Sequence, residues 1–182
     1  MMKQDIKDVM FTKEEINAKV RELAKEINEH YQNRSKDLVV IGILKGANVF
    51  LADLIRQLDL PVYIDFMAVS SYGTSTKSSG VVKIMKDLDL EIENRDVLIV
   101  EDIIDTGLTL KYLTQNLNTR NANSIKICTL LNKEYRRMAE IPVDFIGFEI
   151  PDEFIVGYGI DFAEQYRNLP YIATLKEEVY QE

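Results

Sequence analysis

The sequence predicts an α/β fold built on a mainly parallel sheet flanked by helices. Two runs, Leu38–Leu44 and Val97–Val100, are apolar without alternation, as in strands buried on both faces. Helical periodicity follows each run, and strand–helix–strand alternation calls for parallel pairing through crossover helices. With 182 residues and no long linker or internal repeat, the chain reads as one domain over residues 1–182.

In chain order, a helix is expected from about Thr12 to Tyr31. Thr12 and Glu15 fit a capping box, and Ile16, Val20, Leu23, Ala24, Ile27 and Tyr31 recur at helical spacing. The strand Leu38–Leu44 ends in Lys45-Gly46-Ala47-Asn48, and a second helix follows with Phe50, Leu51, Leu54, Ile55 and Leu58 inward. Pro61 opens a strand from Val62 to Val69. The stretch Ser70–Gly80 lacks periodicity and apolar anchors, which predicts a mobile loop, with Val81–Met85 returning as a strand. Strand Val97–Val100 leads into Glu101-Asp102-Ile103-Ile104-Asp105-Thr106-Gly107, then a helix bearing Leu110, Leu113 and Leu117. Ile125–Leu131 and Phe145–Ile150 read as further strands, and the tail from Pro151 mixes short strand-like and turn-like pieces.

Composition excludes several classes. One Cys forbids an internal disulfide and points to a reducing compartment, and one His with one Cys disfavours zinc. The N-terminus lacks the apolar stretch of a signal peptide, and no run approaches the roughly 18 apolar residues of a membrane span, so a cytoplasmic protein is expected. A net charge of −8 disfavours nucleic acid and anionic membranes, and taken alone also disfavours a phosphate-rich substrate.

Ligands of open α/β sheets sit beyond the carboxyl ends of the strands. There, residues 97–110 place two adjacent carboxylates at the end of a buried strand, followed by an Asp-Thr-Gly-x-Thr turn and a helix start. Free backbone N–H groups, two hydroxyls and a glycine suit a phosphate monoester, and the carboxylates suit a sugar diol or a metal. Neither Gly-x-x-x-x-Gly-Lys-Ser/Thr nor a strand-linked Gly-x-Gly-x-x-Gly is present.

This segment resembles the phosphoribosyl-diphosphate signature of the type I phosphoribosyltransferases, and the similarity extends over nearly the whole chain to the bacterial hypoxanthine–guanine enzymes. Leu44-Lys45-Gly46 resembles their pyrophosphate loop, Ser70-Ser71-Tyr72-Gly73 their catalytic loop, Lys133 their purine-contacting lysine, Ile150–Asp161 their purine-stacking and magnesium segment, and Arg167 a late arginine on pyrophosphate. The resemblance implies the type I phosphoribosyltransferase fold, with a small hood formed by residues 151–182 and part of the N-terminus. It implies transfer of phosphoribose from 5-phosphoribosyl 1-diphosphate to N9 of hypoxanthine or guanine, giving IMP or GMP and diphosphate in purine salvage. Different 6-oxopurine preference, xanthine included, and a non-catalytic nucleotide-sensing regulator are the alternatives.

The resemblance also implies the roles. Asp105 is the general base at purine N7, with a helix-capping Asp as the plain alternative. Glu101 and Asp102 hold the ribose hydroxyls directly or through Mg2+, with Asp161 as a further metal ligand. Ile104, Asp105, Thr106, Gly107, Leu108 and Thr109 surround the 5′-phosphate and ribose, and Leu108 stands where some relatives carry a basic residue. Lys45, Gly46, Ser71, Tyr72 and Arg167 meet the pyrophosphate; the family often has a non-proline cis peptide entering this loop, here between Leu44 and Lys45, which the sequence alone leaves open. Lys133, a donor only, reads a 6-oxo group rather than the 6-amino group of adenine. Phe154 stacks on the purine and Ile155 and Asp161 border it. Small-molecule substrates and a homodimer or homotetramer complete the expectation. Anion capture is then local, and Mg2+ admits a polyanion to an acidic protein.

Overall fold

Alternation along two central strands decides the layering. In β2 (Leu38–Leu44) and β5 (Asp96–Ile104), Leu38, Val40, Leu98 and Val100 face one layer, while Val39, Ile41, Ile43, Val97 and Ile99 face the other. Helices α1 (Lys13–Tyr31) and α2 (Asn48–Ile55) cover the first face with Ile16, Val20, Leu23, Ile27, Phe50, Leu51 and Leu54. Helix α3 (Leu108–Asn118) covers the second with Leu110, Leu113 and Leu117. Each such aliphatic side chain removed from water contributes roughly 1.5–3 kcal/mol, so the strands are held from both sides.

The computed structural model describes residues 4–71 and 82–180. The main sheet has the order β4-β3-β2-β5-β6-β7, with β3 Val62–Ser71, β4 Val82–Lys86, β6 Ser124–Asn132 and β7 Phe145–Glu149. All neighbours pair in parallel except β3 and β4. From β2 the chain turns outward to β3, and from β5 it turns the other way to β6. The crevice between the carboxyl ends of β2 and β5 is therefore the topological switch point. The β2–β5 ladder runs from Leu38↔Asp96 to Gly42↔Val100, beyond which each strand continues toward its own loop.

A second sheet joins distant parts of the chain in the order β1-β9-β8, with β1 Ile6–Phe11, β8 Ile155–Val156 and β9 Ile172–Leu175. Both pairings are antiparallel, with Phe11 opposite Ile172 and Ile155 opposite Thr174. The short helix α4 (Glu177–Tyr180) follows. Val156, Tyr166, Leu169 and Leu175 form its own small core.

Thr12 and Glu15 form the expected capping box: the Thr12 N–H donates to Glu15 Oε2 at 2.8 Å, and the Glu15 N–H donates to Thr12 Oγ1 at 3.3 Å. Several edges differ from expectation. Strand β3 runs two residues past Val69, because Ser70 and Ser71 pair with Lys83 and Val82. Helix α2 stops at Ile55, and Leu58 packs on the core from the turn that follows. The strand Ile6–Phe11 lacked a sequence signal, since none of it is fully buried and only pairing with β9 defines it. Cys128 is buried in β6 as an apolar filler. No helix among the described residues is long and apolar enough to cross a membrane.

Candidate active site

Two loops meet at the switch point. The Leu44–Lys45 peptide is cis, and the next residue, Gly46, lies directly against Asp102 at the end of β5. A Cβ on residue 46 would sit 1.8 Å from Asp102 Oδ2, so any side chain there would have to push the Asp102 carboxylate aside. On the other side, a Cβ at Gly159 would stand 2.1 Å from the Gly46 carbonyl oxygen. Gly46 is thus clasped between the strand that carries the acids and the turn that leads to Asp161.

The two acids at the end of β5 are electrostatically strained. Burial, followed by the charge of Asp102, pushes the Glu101 carboxyl well above its ordinary range, and Glu101 Oε2 has no hydrogen-bond partner. Burial also pushes Asp102 up to about 6, although the N–H of Ile103, which donates to Asp102 Oδ1 at 2.9 Å, and the Arg167 charge pull the other way. Such a pair gains from a nearby cation. Among the described residues no group of three or more His, Cys, Asp or Glu side chains is arranged to hold a metal, so any ion there would need ligand oxygens or water as well.

Beyond the acids, the chain turns through Asp105-Thr106-Gly107 into α3. Gly107 adopts φ 77°, the left-handed region that glycine tolerates, and serves as N-cap without a side-chain cap bond. Asp105 is consequently not the cap of α3, which removes its plain alternative. The first N–H groups of α3 lack intrahelical acceptors. Glu101, Ile104, Asp105, Thr106, Gly107 and Thr109 line a small cavity of about 110 Å3 at this point, and the Leu108 N–H approaches Thr106 Oγ1 at 3.4 Å. A larger cavity, about 770 Å3, lies at the amino ends of β2 and β3 among Arg21, Lys25, Arg34 and Tyr63, the wrong end of a parallel sheet for catalysis.

The purine-reading candidates sit one strand further. Lys133 follows β6, is only 8% exposed, and its Nζ donates to the Glu153 carbonyl at 2.8 Å and to Asp152 Oδ1 at 3.3 Å. Its own N–H donates to the Ile104 carbonyl at 2.9 Å, fixing it beside the Asp105-Thr106-Gly107 turn. Phe154 remains 40% exposed, stacks on Tyr180 with centroids 4.7 Å apart, and meets Phe162 edge-on. Ile155 is buried in β8.

Lys45 and Arg167, the cations expected at pyrophosphate, are held in a shared network. Lys45 Nζ lies 2.8 Å from Glu164 Oε2, which lowers the Glu164 carboxyl below its usual range. Arg167 reaches Asp161 Oδ1 at 2.7 Å, donates to the Gly159 carbonyl at 2.8 Å, and leaves its Nε without a partner. Sequence reasoning did not single out Glu164, Asp152 or Arg136, because each acts through a contact between distant segments. Tyr72 lies outside the described residues, as does most of the 70–80 loop, and of Ser71 only the backbone in β3 is described.

Residues 10–163 match the model of the phosphoribosyl transferase domain. The chain is 57% identical over 181 residues to the hypoxanthine-guanine phosphoribosyltransferase of Bacillus subtilis, covering 100% of this chain and 99% of the relative. The enzyme of that name from Mycobacterium avium is 52% identical over 182 residues, covering 98% of this chain and 90% of its own. The crystal structure of a hypoxanthine phosphoribosyltransferase from Staphylococcus aureus superposes with a TM-score of 0.95 at 51% identity, covering 100% of this chain and 97% of that one. The domain match over residues 10–163, together with similarity along the full length of the chain, places it in a known family: the chain belongs to the phosphoribosyl transferase family.

Proposed function

We propose that the chain is a purine-salvage enzyme that transfers phosphoribose from 5-phosphoribosyl 1-diphosphate to N9 of hypoxanthine or guanine, releasing diphosphate. The observation that carries the reading is the placement of Lys133 beside the Asp105–Thr109 turn through its bond to the Ile104 carbonyl. A 6-oxo reader and a sugar-phosphate cradle thus share one wall. The Bacillus subtilis and Mycobacterium avium relatives, whose names state this activity, support it.

The reacting carbon becomes cationic as diphosphate departs, so the site must stabilise an anion and remove a proton from the purine. The N–H groups of α3 with Thr106 and Thr109 receive the 5′-phosphate, where the positive end of the helix dipole favours it. Glu101 and Asp102 face the ribose hydroxyls. Lys45, Gly46 and Arg167 receive the diphosphate, and the ion pairs of Lys45 with Glu164 and of Arg167 with Asp161 are exchanged for phosphate oxygens. Glu101, Asp102 and Asp161, as hard oxygen ligands, would hold Mg2+, which would supply positive charge against the diphosphate when bound. Asp105 takes the purine N7 proton. Phe154 packs on the purine ring, with Ile155 and Asp161 at its edge. Ser71 and Tyr72 close over the diphosphate and keep water from the activated sugar. The small sheet acts as the hood, and the chain works in the cytoplasm as a homodimer or homotetramer, away from nucleic acid and membranes.

The test is direct: incubate the protein with phosphoribosyl diphosphate, Mg2+ and each purine separately. IMP and GMP form from hypoxanthine and guanine, and adenine stays unchanged. Absence of product from both 6-oxopurines would overturn the reading.

A further inference from the structure

Arg136 belongs to neither the phosphate turn nor the purine wall, yet it touches both. It lies in the short 3-10 turn Glu134–Arg136 that follows Lys133. Its Nε stands 2.9 Å from Asp105 Oδ1, and its Nη1 stands 3.2 and 3.3 Å from the two oxygens of Asp152. Asp152 Oδ1 in turn accepts from Lys133 Nζ at 3.3 Å. The order Lys133–Asp152–Arg136–Asp105 is a continuous chain of alternating charge. It connects the end of β6, the segment before β8, and the turn after β5.

The guanidinium suits this place for a geometric reason. Its rigid plane presents donors on two edges, so it can face two carboxylates in fixed directions, which an ammonium on a flexible stem cannot do. Asp105 Oδ1 is buried against Arg136 without the alignment of a hydrogen bond, while the Asp105 side chain as a whole keeps 44% exposure. One oxygen is therefore covered by the arginine, and the open side of the carboxylate is offered to a ligand. The Arg136 side chain is itself 48% exposed, so its ion pairs are not a buried strut of the fold.

We propose that Arg136 is a positioning residue for the transfer step: it orients Asp105 and, through Asp152, makes that orientation depend on Lys133. A 6-oxopurine that engages Lys133 then meets a base already aimed at N7. A purine that does not engage it leaves the network in its resting arrangement. The proposal rests on the roles given above to Asp105 and Lys133, and adds a coupling between them.

The experiment is a mutant cycle on the full chain with Arg136→Met, Arg136→Lys, Asp152→Ala and the double variant Arg136→Met/Asp152→Ala, with Asp105→Asn as reference. Single-turnover rates with hypoxanthine are read at saturating phosphoribosyl diphosphate, together with KM for each substrate and thermal midpoints. Arg136→Met is expected to slow turnover by about 10-fold with KM for phosphoribosyl diphosphate and the melting midpoint nearly unchanged, as loss of an orienting contact does. Arg136→Lys recovers only part of the rate. The double variant is no slower than the slower single variant, because residues of one network are not additive. Multiplicative losses, or a normal rate in Arg136→Met beside a slow Asp105→Asn, would overturn the coupling alone. A normal rate in Asp105→Asn would overturn the assignment of the base as well.

Discussion

Asp102 and Gly46 touch across the switch point, so that the loop after β2 packs directly on the end of β5. Gly46→Ala is therefore expected to displace Asp102, since the added carbon would stand 1.8 Å from its Oδ2. A displacement of this size lowers kcat/KM for phosphoribosyl diphosphate by about 100-fold. Steady-state kinetics beside a circular dichroism melt separates the local effect from unfolding.

Asp105 is free of a capping duty, so its substitution should report chemistry rather than helix stability. Asp105→Asn is expected to lower kcat by about 100-fold or more, the usual worth of a general base, while calorimetric affinity for phosphoribosyl diphosphate changes little. Equal loss in affinity and turnover would assign Asp105 to binding instead.

Lys133 is held by the Glu153 carbonyl and Asp152, so it is aimed before any ligand arrives. Lys133→Gln replaces a charged donor with a neutral group that both donates and accepts. The kcat/KM for hypoxanthine should fall by about 10- to 100-fold, matching one lost charge-assisted hydrogen bond, and the ratio against adenine should shrink. Parallel assays with hypoxanthine, guanine and adenine measure it.

Asp65 gives the fold an acid-sensitive joint. Burial favours its neutral form, but the N–H groups of Leu90, Phe66 and Asp89, together with Lys86, outweigh that and hold its carboxyl below the usual range. A depressed carboxyl contributes stability that is complete above its unfolded value, near 4, and is lost as pH falls toward the folded one. The midpoint of thermal unfolding should drop from pH 5 to pH 3, with a flatter profile in Asp65→Asn. Asp65→Ala, which strands those N–H groups, should cost about 2–4 kcal/mol at neutral pH by urea titration.

Much of this was legible in the sequence because it is written locally. The capping box, the buried strands and the α1 stripe each follow from residues within one or two turns of each other. So does the turn from Asp105 to Gly107 at the start of α3, which the Asp-Thr-Gly run announces. The β1–β9 pairing is not local: Ile6 and Leu175 are far apart in the chain, and neither segment alternates strongly enough to announce its partner. Arg136, Asp152 and Glu164 were unreadable for the same reason, as a surface charge takes its meaning from whatever folds opposite it. The net charge misled when read alone, since an anion site of backbone N–H groups leaves no trace in a count of lysines.

The small sheet imposes a schedule on synthesis. Ile155 and Val156 are anchored by β9, and β9 by β1, so the wall behind Phe154 cannot assemble until residues 172–175 have returned to residues 6–11. Strand β5 and the Asp105-Thr106-Gly107 turn leave the ribosome much earlier. The segment bearing Phe154 thus gains its sheet partners only after residues 172–175 have been made, when they pair with residues 6–11 and with Ile155 and Val156.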